Sequence, residues 1–218
     1  MDGPQFIRAN TKLLALPLVP EICLHLAEES LPIWRKTEEE LGAMNVPPPY
    51  WAFAWAGGQA LARYLLDNAA AVARARVLDL GSGSGLTAIA AMRAGAARVL
   101  AADIDALALA AIDLNAAANA VAVEATGEDL LVALPDDVRS RFDVVLVGDL
   151  FYERSLADRV LSFIEAASAN GADILVGDPR RSYFPKERFR QVMEYAVPVT
   201  RELEDAEIKR AAVWRLTA

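Results

Sequence analysis

Short runs of consecutive apolar residues alternate with stretches of helical periodicity through the middle of the chain. The predicted strands cover residues 77–80, 99–102, 121–125, 142–147 and 174–177. The predicted helices before and between them cover residues 60–67, 86–94, 106–119 and 156–168. Strands that are apolar on both faces and alternate with helices indicate a parallel sheet that is covered on both sides.

The last part of the chain has a different pattern. Two runs of β character, residues 194–203 and 208–216, flank a polar turn over residues 204–207. Too little chain separates them for a helical crossover, so they are expected to pair antiparallel. Together with the five earlier strands, they predict a Rossmann-like α/β fold with seven strands and a C-terminal antiparallel hairpin.

The first 50 residues do not continue this alternation, and we interpret them as an N-terminal helical cap or extension. Residues 21–29 have the periodicity of a short amphipathic helix. Three prolines, Pro47–Pro49, then form a stiff extended link. The predicted organisation is therefore a cap over residues 1–50 and one α/β domain over residues 51–218.

Composition narrows the possible classes of function. The chain has 218 residues, a net charge of −8, 55% hydrophobic residues and a mean hydropathy of +0.23, which together predict a folded acidic protein without a broad nucleic-acid-binding surface. Cys23 and His25 are the only residues of their types, so no internal disulfide or cysteine-based zinc site can form. No apolar run is long enough to span a bilayer, and the first residues do not resemble a targeting peptide. We expect a cytoplasmic protein, with a monomer favoured.

The most informative motif is the end of the first strand of the sheet, which reads Val-Leu-Asp-Leu-Gly-Ser-Gly-Ser-Gly over residues 77–85. Three glycines at alternate positions, Gly81, Gly83 and Gly85, are typical of a tight turn into a helix whose free N–H groups face a ligand. Asp79 precedes them, and its carboxylate suits a cationic group. We predict that this loop binds S-adenosylmethionine, with Asp79 facing the methionyl ammonium.

Carboxylates recur where the other predicted strands end, which is where ligands bind in open α/β sheets. Asp103 is predicted to accept hydrogen bonds from both ribose hydroxyls of the cofactor. Either Glu128 or Asp129 is predicted to accept one from the adenine amine, and Asp129 is preferred. Asp149 and Asp178 end the next two strands.

A dinucleotide is the alternative ligand. Residues 83–88 also match the dinucleotide fingerprint, and Asp103 follows at nearly the spacing of its ribose-binding carboxylate. An NAD-dependent oxidoreductase is therefore a second hypothesis. Against it, Gly81 follows the strand directly, Asp79 would lie near a pyrophosphate, and the motif begins only at residue 77.

Two further segments indicate the methyl acceptor. Residues 50–59 read Tyr-Trp-Ala-Phe-Ala-Trp-Ala-Gly-Gly-Gln, and residues 148–153 read Gly-Asp-Leu-Phe-Tyr-Glu. A carboxylate beside an aromatic ring, as at Asp149 and Tyr152, suits a cationic amine such as the lysine ε-ammonium. The spacing of Trp51 and Trp55 fits either core packing or a cover over the ligand.

The Asp-x-x-Tyr arrangement at Asp149 and Tyr152 resembles the motif of the family 16 seven-strand protein-lysine methyltransferases. Within that family, the segments 51–61, 78–83, 102–105, 148–152 and 177–179 are similar to members that act on the electron transfer flavoprotein β subunit. The resemblance covers about residues 47–218 and implies a bacterial relative with that protein substrate. It also implies that Trp55 contacts the cofactor, and that Asp149 and Tyr152 frame the lysine channel. Ribosomal-protein lysine methyltransferases and small-molecule methyltransferases remain the alternatives.

A cluster of basic residues follows the fifth predicted strand. Its ordinary interpretation is a solvated loop and helix face, and the alternative is a docking patch for an acidic protein substrate. Its members are Arg180, Arg181, Lys186, Arg188 and Arg190.

Overall fold

The computed structural model describes residues 2–27, 48–132, 141–200 and 206–217. The helices within these ranges are α1 (Gly3–Asn10), α2 (Ala56–Asp67), α3 (Leu86–Arg93), α4 (Ala106–Ala118) and α5 (Arg154–Ala169). Two short strands come first, β1 (Lys12–Ala15) and β2 (Cys23–Leu26). The others are β3 (Arg76–Leu80), β4 (Arg98–Ala102), β5 (Glu124–Thr126), β6 (Val144–Gly148), β7 (Asp173–Asp178), β8 (Phe189–Pro198) and β9 (Ile208–Leu216).

Seven strands form one sheet in the order β5-β4-β3-β6-β7-β9-β8. The first five are parallel to one another, whereas β9 is antiparallel to both β7 and β8. Val77 of β3 lies in register with Val99 of β4 and Val144 of β6, which fixes the centre of the sheet. This sheet confirms the predicted fold class, including the C-terminal antiparallel hairpin.

The sheet buries side chains on both faces. Leu61 of α2 and Ile89 of α3 belong to a core that includes Val77 of the sheet. On the opposite face, Phe163 of α5 packs in a second core with Leu78. Alternate residues of one strand thus enter different cores, which is why the central strands have no polar face. Within the described ranges, no helix has the length and apolar character needed to cross a membrane.

Two predicted strands begin three or more residues away from the observed ones. The first strand of the hairpin begins at Phe189 rather than at residue 194, because Phe189 is buried and pairs with Leu216. The basic residues Lys186 and Arg188 precede it in a short 3-10 turn. The weak strand predicted over residues 121–125 is the three-residue β5, an edge strand that pairs only with β4 among the described strands.

The N-terminal segment is not wholly helical, so the expected helical cap requires correction. Only α1 is a helix within residues 2–27, and the helix predicted over residues 21–29 is instead β2 as far as Leu26. Strand β2 pairs antiparallel with β1, while the side chains of Asn115 on α4 and of Asn119, directly after α4, bind the backbone of His25 and Cys23. These tertiary hydrogen bonds override the local helical pattern. The segment over residues 28–47 lies outside the described residues.

Helix α2 makes an unusually close contact with the sheet at its first turn. A Cβ atom on Gly57 would lie 2.2 Å from the carbonyl oxygen of Gly177, and one on Gly177 would lie 2.1 Å from the carbonyl oxygen of Gly57. Neither backbone can therefore carry a side chain at this contact. By contrast, a Cβ atom on Gly58 would meet nothing within 4 Å.

Replacing Gly57 with alanine should destabilise the protein by about 1–3 kcal/mol, because overpacking forces the backbones apart. The matched control is Gly58→Ala, which should be neutral or stabilising, since alanine favours the helix and has space there. Urea denaturation of both variants measures the free energy of unfolding. A Gly57→Ala protein as stable as the control would contradict the close contact.

Candidate active site

A cavity of about 490 Å³ opens at the carboxyl ends of β3, β4 and β6. This is the point at which the strand order reverses, the usual ligand-binding position in open α/β sheets. Its volume lies within the range typical of small-molecule sites. The predicted site residues that line it are Trp55, Gly81, Gly83, Asp103, Glu128, Asp129, Asp149 and Tyr152.

The glycine loop has the backbone conformation that the sequence predicts. Gly81, Gly83 and Gly85 have φ angles of 65°, 55° and 82°, in the left-handed region that favours glycine. Gly81 and Gly83 line the cavity wall. Gly85 instead lies buried at the N-terminus of α3, packed against Ile112 of α4, and does not reach the cavity.

Asp79 is placed differently from the prediction. Its side chain is 1% exposed and does not line the cavity. Its oxygens accept hydrogen bonds from the hydroxyls of Ser82 and Thr87, both at 2.5 Å, and from the N–H of Ala88 at 3.1 Å. Burial raises the pKa of this carboxyl, and the hydrogen bonds from Ser82 and Thr87 oppose that shift. The carboxylate therefore stabilises the glycine loop from beneath, and the expected contact with a cofactor ammonium has no support in this geometry.

Asp103 lines the cavity, as predicted. Its Oδ2 accepts the N–H of Gly83 at 2.8 Å, and its Oδ1 accepts the N–H of Asp105 at 3.0 Å. Burial raises the pKa of Asp103, against the lowering effect of its backbone hydrogen bonds. The carboxylate thus joins the glycine loop to the turn after β4 and is held rigidly at the cavity wall.

Glu128 and Asp129 both line the next part of the wall, after β5. Asp129 Oδ2 accepts a hydrogen bond from Arg159 at 2.6 Å, and its Oδ1 accepts one from the N–H of Leu131. Burial acts to raise the pKa of Asp129, but the hydrogen bonds from Arg159 and the Leu131 N–H, together with the charge of Arg159, outweigh burial, so the net shift is downward. The Glu128 side chain is exposed.

Aromatic side chains form the opposite wall of the cavity. The Tyr50 ring lies 6.0 Å from the Trp55 ring and 5.7 Å from the Tyr152 ring, measured between centroids. The Trp55 indole N–H donates to the carbonyl oxygen of Tyr50 at 3.0 Å, which fixes the ring. Burial, with the neighbouring Tyr50, raises the pKa of Tyr152, so its hydroxyl stays protonated at neutral pH. Trp51 also lines the cavity, but its side chain is almost wholly buried in a core with Ile7.

Asp149 is the most constrained carboxylate of the site. It follows β6, is 7% exposed, and has a φ of 58°, which is rare for a residue other than glycine. Its Oδ2 accepts the N–H of Gly58 at 2.8 Å, at the start of α2. Its Oδ1 accepts two hydrogen bonds from the guanidinium of Arg181, at 2.7 and 3.1 Å. These donors stabilise the ionised form of the carboxylate.

Arg181 is the functional candidate that the sequence did not single out. The sequence placed it within a basic cluster, but its side chain turns inward, pairs with Asp149 and lies 5.5 Å from the Trp55 ring centroid. Other members of the cluster have different surroundings. Arg188 pairs with Glu165 on α5, and Arg180 lies over the Trp214 ring. In the sequence, Pro179 directly after Asp178 is the local feature that indicates an ordered turn before Arg181.

The seven-stranded sheet and the cavity at its switch point define a Rossmann-like methyltransferase fold, and similar solved structures have that fold. One is the ribosomal protein L11 methylase of Lactobacillus delbrueckii subsp. bulgaricus, with a TM-score of 0.51, 23% identity and coverage of 76% of this chain and 81% of that one. Another is magnesium protoporphyrin IX methyltransferase of Synechocystis with bound S-adenosylmethionine, with a TM-score of 0.52 and 15% identity over 73% of this chain and 78% of that one.

The chain belongs to the electron transfer flavoprotein beta subunit lysine methyltransferase family. The Danio rerio member is 36% identical over 98% of this chain and 83% of its own length. The Homo sapiens member is 36% identical over 96% of this chain and 80% of its own length. This membership confirms the resemblance inferred from Asp149, Tyr152 and the glycine loop.

A broader relationship covers only the centre of the chain. The family model for ribosomal protein L11 methyltransferase (PrmA) matches residues 59–171. The ribosomal protein L11 methyltransferase of Geobacter sulfurreducens is 45% identical, but over only 34% of this chain and 23% of its own length. Residues 59–171, which match the ribosomal protein L11 methyltransferase model, contain the glycine loop and the strands around it. The aromatic residues 50–55 precede that segment.

Proposed function

We propose that this protein transfers methyl groups from S-adenosylmethionine to lysine ε-amines of the electron transfer flavoprotein β subunit. The observation that carries the proposal is the placement of Asp149 and Tyr152, beside Trp55, in the same cavity as the glycine loop. A cofactor site and an aromatic acceptor site with a carboxylate are thereby continuous.

The cavity wall that contains the glycine loop has residues that suit S-adenosylmethionine. Gly81 and Gly83 leave the wall free of side chains, and Asp103 presents a carboxylate beside them. A carboxylate has two acceptor oxygens, which suit the two hydroxyls of a ribose. Glu128 or Asp129 would accept from the adenine amine; the exposed carboxylate of Glu128 makes it as good a candidate as Asp129, whose oxygens bind Arg159 and Leu131.

The acceptor side of the cavity positions an amine and excludes water. S-adenosylmethionine, when bound, supplies an electrophilic methyl group on a sulfonium sulfur. The aromatic wall of Tyr50, Trp55 and Tyr152 surrounds the lysine stem, and the rings favour a cationic or partly cationic nitrogen. Asp149 supplies negative charge near the nitrogen, where positive charge develops during the transfer. Because Arg181 and Gly58 already stabilise its ionised form, we assign Asp149 to orientation and electrostatic stabilisation rather than to proton removal.

The flavoprotein subunit is the favoured substrate because the similarity to the electron transfer flavoprotein β subunit lysine methyltransferases extends through almost the whole chain. It includes residues 50–58, which supply the aromatic wall and the N–H of Gly58. The individual ribosomal protein L11 methyltransferases align with about a third of the chain, and their family model matches residues 59–171 alone. Ribosomal protein L11 is therefore the second candidate.

The experiment that tests the proposal incubates the purified protein with S-adenosylmethionine labelled in the methyl group and either the purified flavoprotein β subunit or ribosomal protein L11. We expect label in the flavoprotein subunit, at lysine by mass spectrometry of its peptides. Label in protein L11 alone would contradict the substrate assignment. Label in neither protein, combined with calorimetric binding of NAD rather than S-adenosylmethionine, would contradict the enzyme class.

Replacing Asp103 with alanine should raise the Kd for S-adenosylmethionine by about tenfold or more, because hydrogen bonds to a charged group contribute about 1.5–3 kcal/mol each. Calorimetric titration measures the change. The control is Asp113→Ala, which removes an exposed carboxylate of α4 and should leave the Kd unchanged. Unchanged affinity in the Asp103 variant would exclude its role at the ribose.

Replacing Asp149 with asparagine should lower kcat by about a hundredfold or more, since it removes the charge that faces the developing cation. The Kd for S-adenosylmethionine should change by less than about threefold, because the lost charge acts on the acceptor amine. The control is Asp158→Asn on the exposed face of α5. Near-normal turnover of the Asp149 variant would show that its charge has no part in the reaction.

A further inference from the structure

Asp178 is a buried carboxyl group directly beneath the acceptor side of the cavity. It is the last residue of β7, and its relative exposure is 0%. The preceding residue, Gly177, accepts the backbone N–H of Asp149 at 3.0 Å. The Asp178 side chain does not line the cavity, so its influence on the site passes through its neighbours.

The two oxygens of the Asp178 carboxyl have different surroundings. Oδ1 accepts the backbone N–H of Arg181 at 2.7 Å, which closes the turn between them. Oδ2 is buried and has no hydrogen-bond partner in the part of the chain that the structure describes. The turn contains Arg180 at a φ of 68°, a left-handed conformation that costs free energy in a residue other than glycine. The hydrogen bond to Oδ1 is thus what stabilises the turn that directs Arg181 inward.

The charged groups around Asp178 favour its neutral form. Asp149 lies on the neighbouring strand end, and the Arg181 guanidinium, the nearest cation, is hydrogen-bonded to Asp149. From β9, Trp214 donates its indole N–H to the backbone carbonyl of Asp178 and not to the carboxyl. Burial, followed by repulsion from Asp149, raises the pKa of Asp178 to about 7, although Arg181 acts to lower it.

We propose that Asp178 is a positioning residue for methyl transfer, which holds Arg181 against Asp149 through the turn that its carboxyl group closes. Below its pKa of about 7 the Asp178 carboxyl group is protonated and carries no charge that competes for the guanidinium, so the attraction of Arg181 acts on Asp149. Both the charge and the orientation of Asp149 then depend on the turn that Asp178 closes. The inference rests on the proposed function, because Asp149 is the residue through which the effect reaches the acceptor.

Kinetic measurements separate positioning from a general effect on stability. Asp178→Ala removes the acceptor for the Arg181 N–H and should lower kcat by about fivefold or more, with the KM for S-adenosylmethionine within about twofold. Asp178→Asn retains an acceptor oxygen without a charge and should keep kcat within about twofold of the parent protein at pH 7. In an Arg181→Met background, adding Asp178→Ala should lower kcat by less than about twofold, because the group that it positions is already gone.

Denaturation at several pH values tests the protonated state without any turnover. Asp178 has an ordinary pKa of 3.8 when unfolded and one of about 7 when folded. Between these values the folded protein holds a proton that the unfolded chain has released, so the stability of the parent protein falls as the pH rises through this window. Asp178→Asn lacks this loss. Its urea midpoint should therefore rise relative to the parent protein between pH 5 and pH 7.

Each outcome bears on one part of the inference. An Asp178→Ala protein with unchanged kcat would refute positioning, and an additive loss in the Arg181→Met background would refute the route through Arg181. An Asp178→Asn protein that loses kcat as Asp178→Ala does, or that shows no pH-dependent gain in stability, would refute the protonated state. A parent protein that transfers no methyl group would contradict the proposed function instead, while the denaturation experiment would still report on Asp178.

Discussion

The contact between Gly57 and Gly177 is the constraint on which the proposed acceptor site depends. It brings two backbones together at a distance that no side chain permits, and it sets the first turn of α2 against the end of β7. Because of that contact, the N–H of Gly58 reaches Asp149, and Trp55 lies where the guanidinium of Arg181 can pack on its ring. A helix that precedes the sheet in sequence therefore completes a site at the ends of strands that follow it.

The glycine loop shows how two carboxylates near one ligand take different roles. Asp79 and Asp103 end neighbouring strands, yet Asp79 is sealed beneath the loop by Ser82 and Thr87, whereas Asp103 faces the cavity. The burial of Asp79 removes one reason for preferring a sulfonium cofactor to a dinucleotide, since its charge does not reach the ligand. The preference for a sulfonium cofactor now rests on membership of the family and on the proposed acceptor site, because a dehydrogenase has no methyl acceptor.

Regular patterning made most of the sheet predictable. Strands such as 77–80 and 174–177 are mostly apolar and are followed by glycine or aspartate, so both their burial and their position at the site can be inferred locally. The seven strands, the hairpin and the cavity residues Asp103 and Asp149 follow from that logic, whereas Tyr152 was identified beside Asp149 through the family resemblance. Strand β2 could not be inferred in this way, because its conformation depends on the side chains of Asn115 and Asn119, which lie about 90 residues away in the sequence.

Arg181 was missed for a related reason. In sequence it is one of several arginines and lysines that follow β7, and nothing in their spacing distinguishes the one that turns inward. The selection is made by the tertiary structure, because Asp178 binds the Arg181 N–H and Asp149 binds its guanidinium. Asp79 illustrates the same limitation, since a carboxylate near a strand end can bind the loop or face the ligand, and the hydroxyls of Ser82 and Thr87, which bind it in the structure, could not be placed from sequence.

The pairing of Asp149 with Arg181 changes how the acceptor site is understood. A lone carboxylate would hold a lysine as its ammonium, which has no lone pair for attack, and would make deprotonation harder. A carboxylate that is paired with a guanidinium stays ionised, but it attracts a cation less strongly than a lone carboxylate would. In the proposed acceptor site, burial against Tyr50, Trp55 and Tyr152 desolvates the incoming side chain and so favours the neutral amine, while Asp149 stabilises the positive charge that develops during transfer. Arg181 therefore helps to explain why a site that contains a carboxylate can bind the neutral lysine amine, which is the nucleophile, rather than hold the lysine as an ammonium ion.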